Sequence, residues 1–80
     1  MNPSGDVTIY TSHGCVPCMM SKSWFKEKKI PYEERRVGKD KNILKELILL
    51  NQTVTPVIVI NEQVIAGFQP KEFSKALELS

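Results

Sequence analysis

Two cysteines three positions apart, Cys15 and Cys18, are the residues of this chain best suited to covalent chemistry. They frame Cys15-Val16-Pro17-Cys18, and sulfurs at that spacing across a helix start lie close enough to form a disulfide without large backbone strain. The unpaired N–H groups of a helix's first turn stabilise a thiolate at the first sulfur, as does a dipole equivalent to about half a positive charge. Thiols so placed ionise at roughly 3.5–7.5, against about 8.5 for a free cysteine. The two sulfurs therefore have different tasks. Cys15, at the exposed edge, attacks a disulfide and forms a mixed disulfide; Cys18, one turn inside, resolves it. Pro17 removes an N–H and stiffens the first turn, and the Val16-Pro17 pair tunes the reduction potential.

Other chemistry must be weighed. Cys-x-x-Cys is also half of a zinc site, and His13 lies two residues upstream. A fourth ligand is missing, because the chain has two cysteines and one histidine. A zinc ion or an iron–sulfur cluster held through Cys15 would need a second chain. A purely structural pair fits the context less well. His13 has two readings: an imidazolium that lowers the Cys15 pKa, or a solvent-facing loop residue, the stronger of the two. Further along, Thr55-Pro56 precedes the run Val57-Ile58-Val59-Ile60. Proline is tolerated at a strand start, where its missing N–H lies outside the ladder. A cis bond there would turn residue 55 toward an extended substrate segment, but cis is a minority state, about 5–6% of folded X-Pro bonds. Composition does not establish it.

These residues need elements to hold them. Asp6 to Tyr10 is β-branched and aromatic, as a strand requires. Thr11 to Gly14 reads as a polar loop. From Val16 to Lys29 the composition turns helical, with Cys18, Ser21 and Phe25 on one face, Trp24 beside them, and Lys28 and Lys29 in the last turn before Pro31. Tyr32 to Val37 reads as a charged second strand, and Gly38 punctuates. Asp40 then caps a helix over Lys41 to Leu50, with Ile43, Leu44, Leu47 and Ile48 at core spacing. Val57 to Ile60 is a buried strand, Asn61-Glu62 a tight turn, and Gln63 to Ala66 the return strand. A final helix runs from Lys71 to Leu79, with Pro70 near its first turn and Phe73, Ala76 and Leu77 facing inward. The order β-α-β-α-β-β-α gives a parallel first pair and a terminal hairpin, with helices on both faces of a four-stranded mixed sheet.

Composition narrows the classes. Eighty residues with 41% hydrophobic and 25% charged content make one globular domain, over 6–80, behind a flexible N-terminus over 1–5. The net charge of +2 carries no nucleic-acid footprint. The cations Lys22, Lys26, Lys28, Lys29, Arg35 and Arg36 read best as solvated surface. No signal peptide is evident, and the runs Ile48 to Leu50 and Val57 to Ile60 are too short to span a bilayer. The cytoplasm is the expected compartment, where a close cysteine pair is catalytic or metal-binding rather than structural. Nothing demands more than a monomer.

Taken together, Thr8-Ile9-Tyr10-Thr11, Cys15-Val16-Pro17-Cys18, Thr55-Pro56-Val57-Ile58 and Gly67-Phe68-Gln69-Pro70 resemble the glutaredoxin branch of the thioredoxin superfamily. The resemblance covers nearly the whole chain past residue 5. It implies an α/β thioredoxin fold, a cis-proline at Pro56 facing the cysteines, and dithiol exchange with Cys15 as nucleophile. The Cys15–Cys18 disulfide would be the only redox group, with no metal or other cofactor. Glutathione-linked members carry a basic residue about three positions before the first cysteine and a Gly-Gly-acid sequence near the last helix. This chain has Ser12 and Ala66-Gly67-Phe68-Gln69-Pro70 there. Gly67-Phe68-x-Pro is instead similar to the NrdH-redoxin family, which implies thioredoxin reductase as reductant and ribonucleotide reductase among the protein disulfide substrates. A glutathione-dependent glutaredoxin is the alternative. Two departures stand out: Val16-Pro17, where a Gln before the second cysteine is more usual, and Lys71 in place of an acid. By the same resemblance Val16, Pro17, Thr55, Pro56, Gly67 and Phe68 line a docking groove around Cys15. Phe68 has a second reading, as a core aromatic under the last helix.

Overall fold

A computed structural model describes residues 7–78, so the expectations for the N-terminal segment, for Asp6 and for Leu79 lie outside the described residues. The chain runs β1 (Val7–Thr11), α1 (Val16–Glu27), β2 (Glu33–Arg36), α2 (Lys41–Leu49), β3 (Val57–Ile60), β4 (Gln63–Ala66), α3 (Pro70–Glu78). The strands form one sheet in the order β2-β1-β3-β4, with β1 parallel to β2 and antiparallel to β3, and β3 antiparallel to β4. The expected topology, a thioredoxin fold with a mixed sheet and three helices, is the one observed.

Period-two alternation divides the core between the two sheet faces. Val7, Ile9, Ile58, Ile60 and Ile65 meet Phe25 of α1 and Phe73 and Ala76 of α3 on one face. Tyr10 and Val57 meet Ile43 and Leu47 of α2 on the other. Trp24 and Phe73 join Phe25 at ring-centroid separations of 4.9–5.4 Å, in edge and tilted geometries that aromatic quadrupoles favour. The outer strand β2 is Glu33-Glu34-Arg35-Arg36, a charged edge that discourages pairing with another sheet.

Two expectations are corrected. Leu44 and Ile48, placed at core spacing, are 48% and 56% exposed. α2 covers its face alone, so only the narrow stripe of Ile43 and Leu47 is buried. The first helix ends at Glu27, short of the expected Lys29 and well before Pro31. Lys29 adopts φ 58; its N–H bonds the Lys26 carbonyl at 3.0 Å, and the Ile30 N–H bonds the Phe25 carbonyl at 3.0 Å. That is a Schellman termination, closed by Ile30 packing on the core cluster that holds Phe25. Elsewhere ends shift by one or two residues. β1 gains Thr11, β2 begins after Tyr32 and stops before Val37, α2 stops at Leu49 and α3 begins at Pro70.

Candidate active site

The strand β1 delivers the chain to the active loop, and Gly14, at φ 71, makes the left-handed step into α1 that a side chain would resist. Cys15 is the N-cap of α1, with φ −93 and ψ 107, so its sulfur occupies the place of a capping oxygen. The Cys18 N–H donates to Cys15 Sγ at 3.2 Å. Cys18 itself is 2% exposed and Cys15 half-buried. The two form a disulfide, with Cα atoms 5.2 Å apart. One turn further in, the buried Ser21 hydroxyl donates to the Pro17 carbonyl at 2.9 Å. The buried Ser21 hydroxyl is thereby satisfied by bonding back one turn along the helix.

The opposite wall comes from the chain before β3. The Thr55–Pro56 bond is cis and the Pro56 ring is buried. The Thr55 hydroxyl lies 3.8 Å from Cys15 Sγ, in position to donate to it, and 2.6 Å from the Ser12 hydroxyl. The Gly67 N–H donates to the Pro56 carbonyl at 2.8 Å, which ties the end of β4 to the same wall. Phe68 follows, its ring 6.0 Å from Phe73 and half-buried against the core. On its other side it shares a shallow groove of about 420 Å³ with Val16, Met19, Met20 and Trp24. Phe68 thus packs on the core under the last helix and also lines this groove.

A polar cavity of about 250 Å³ lies beside the disulfide, lined by Thr11, Ser12, Gly14, Cys15, Cys18, Met19, Lys22, Glu34 and Arg36. Thr11 donates to Glu34 Oε2 at 2.7 Å and Lys22 Nζ donates to the same oxygen at 3.1 Å. The Thr11 hydroxyl, and then Lys22, hold the Glu34 carboxyl below the ordinary carboxylate range, against the opposing effect of burial. His13 is exposed, and Arg36 donates to its Nδ1 at 2.8 Å. His13 is thus turned to Arg36, in keeping with the loop-residue reading. Among the described residues no three or more His, Cys, Asp or Glu side chains cluster as metal ligands.

The fold brings the residues expected at the site together: Cys15, Cys18, Val16, Pro17, Thr55, Pro56, Gly67 and Phe68 ring one end of the sheet. Pro56 shapes this wall from within rather than presenting surface. Ser12 stands out in the sequence only for the cation it lacks, and its contact with Thr55 is visible only in the fold. Met19 and Met20 join the site as well. Helical spacing places them away from the Cys18, Ser21 and Phe25 stripe, which was signal enough to find an exposed apolar edge beside Cys15.

A mixed sheet of this order, with a redox-ready disulfide at the start of α1 facing a cis-proline, defines a thioredoxin-fold thiol–disulfide protein. Residues 7–65 match the glutaredoxin family model. The chain belongs to the glutaredoxin family, whose members are thiol–disulfide oxidoreductases. It is 29% identical over 69 residues to the glutaredoxin-like protein NrdH of Lactococcus lactis, covering 86% of this chain and 96% of that protein. The solved thioredoxin-like protein BC3987 is 32% identical, with a TM-score of 0.84 over 89% of this chain and 99% of that one. NrdH-redoxin from Escherichia coli, a glutaredoxin-like protein with a thioredoxin-like activity profile, shares the fold at 23% identity. Its TM-score is 0.81, covering 88% of this chain and 92% of that one.

Proposed function

We propose that this chain reduces protein disulfides by dithiol exchange, with Cys15 as nucleophile and Cys18 as resolving thiol. The carrying observation is the asymmetry of the pair. Cys15 Sγ sits at the rim of α1 and accepts the Cys18 N–H, whereas Cys18 is buried. In the reduced protein the Cys15 thiolate attacks one sulfur of a substrate disulfide and expels the other as a thiolate. Cys18 then loses its proton and attacks Cys15 Sγ, releasing the second substrate sulfur and leaving the Cys15–Cys18 disulfide. Two electrons pass to the substrate, and a reductase returns them.

Thioredoxin reductase is the reductant we assign, and the cytoplasm the compartment. Similarity to NrdH supports the assignment, and so does Ser12, which engages Thr55 and offers no cation to a glutathione carboxylate. Ribonucleotide reductase is the protein disulfide substrate that the same similarity favours. Partner segments dock on Val16, Pro17, Thr55, Gly67 and Phe68, shaped by Pro56, with Met19 and Met20 extending the apolar edge. The protein works as a monomer.

Trapping tests the division of labour. Cys18→Ser accumulates a mixed disulfide between Cys15 and the target, detected as a reducible adduct by mass spectrometry, and Cys15→Ser forms none. Equal trapping by both variants overturns the assignment.

A further inference from the structure

The contact between Ser12 and Thr55 has no role in the scheme above, although it ends on the reacting sulfur. Thr55 Oγ1 is 2.6 Å from Ser12 Oγ and 3.8 Å from Cys15 Sγ. These three residues come from the end of β1, the approach to β3 and the start of α1, so only the folded chain assembles them. We infer that Ser12 and Thr55 form a two-hydroxyl relay that stabilises the Cys15 thiolate, Thr55 donating to the sulfur and Ser12 fixing the direction of that donation.

Proton counting sets the polarity. A thiolate can only accept, and Thr55 has a single hydroxyl proton. When Thr55 gives that proton to the sulfur, the short contact to Ser12 is kept only if Ser12 donates to Thr55. When Cys15 carries its proton, the chain can run the other way, from S–H to Thr55 to Ser12. The relay thus favours the charged form with two donors in series, and hydrogen bonds to charged acceptors are about twice as strong as neutral ones. The 3.8 Å separation belongs to the oxidised form, in which the sulfur bears no charge. The second donor, the Cys18 N–H at 3.2 Å, arrives from the helix and is independent of the relay. Ser12 is a positioning residue, acting through Thr55. It stands where glutathione-linked glutaredoxins carry a cation, so here that position conditions the nucleophile instead.

This inference rests on Cys15 being the activated nucleophile, and the test separates the two. The pH dependence of iodoacetamide alkylation is measured on the fully reduced protein and on Cys18→Ser, in which one thiol reports. Thr55→Val keeps the side-chain shape and removes the hydroxyl, and is expected to raise the Cys15 midpoint by roughly half to one pH unit. Thr55→Ser restores the donor and keeps the wild-type midpoint. Ser12→Ala raises the midpoint by less, and its effect disappears in the Thr55→Val background. A wild-type midpoint well below about 8.5 that Thr55→Val leaves unmoved, or that Thr55→Val and Thr55→Ser raise equally, overturns the relay while leaving the nucleophile intact. A wild-type midpoint at the free-thiol value overturns the nucleophile assignment itself.

Discussion

Val16 follows the reactive Cys15 in the chain, is 63% exposed and lines the groove beside Phe68. An exposed valine between the two cysteines, on a proposed docking edge, bears on recognition as well as on the reduction potential. Val16→Glu is expected to raise KM for a protein disulfide several-fold and to change stability by less than about 0.5 kcal/mol. Steady-state kinetics alongside denaturant unfolding checks both. Gly67 is a contrasting case. Its φ of 88 is a left-handed conformation, although a Cβ there would meet nothing within 4 Å. Gly67→Ala is strained by the backbone alone, and costs about 1 kcal/mol. At this scale the cysteine pair was legible because its chemistry is local, three positions along one helix start. The Ser12–Thr55 contact spans 43 residues and follows no periodicity, so no reading of the chain could have reported it.

The elements were legible where local rules act alone. β3 and β4 fall on the expected residues because a continuous Val/Ile run, a two-residue turn with Asn61 at φ 57 and an alternating return strand all point the same way. The end of α1 is harder to place from sequence, because Pro31 is a conspicuous stop signal whereas the Schellman turn depends on Ile30 packing on the core. That turn places a lysine at a position favouring glycine, so Lys29→Gly is expected to stabilise the fold by roughly 0.5–1 kcal/mol. At the other helix the Asp40 side chain accepts the Asn42 N–H at 2.8 Å, an N-cap bond recognised correctly from sequence. Asp40→Ala should cost about 1 kcal/mol in urea unfolding. The exposure of Leu44 and Ile48 escaped notice because helical spacing gives the direction of an apolar face but not its width, which depends on how many neighbours the sheet supplies.

Across the whole molecule, the parallel pair and the terminal hairpin meet through β1 and β3, and this junction brings the start of α1 opposite Pro56. Charges brace the outer edge. Arg35 donates through Nε to Glu46 Oε1 at 2.6 Å and through its other arm to Oε2, and the Tyr10 hydroxyl donates to Oε1 at 3.0 Å. Arg35, then the Tyr10 hydroxyl, hold the Glu46 carboxyl below its ordinary value of 4.5, as Thr11 does for Glu34. Both carboxyls bind protons less readily folded than unfolded. Their contribution is present above about pH 4.5 and is lost as pH falls through their lower folded values. Glu46→Gln should flatten the acid limb of a stability–pH profile while lowering stability at neutral pH. The most direct test of the electron-carrier assignment is NADPH oxidation in the presence of a protein disulfide, coupled either to thioredoxin reductase or to glutathione with glutathione reductase. Turnover with thioredoxin reductase that vanishes in Cys15→Ser is the predicted result; turnover confined to the glutathione system, or persisting without Cys15, contradicts it.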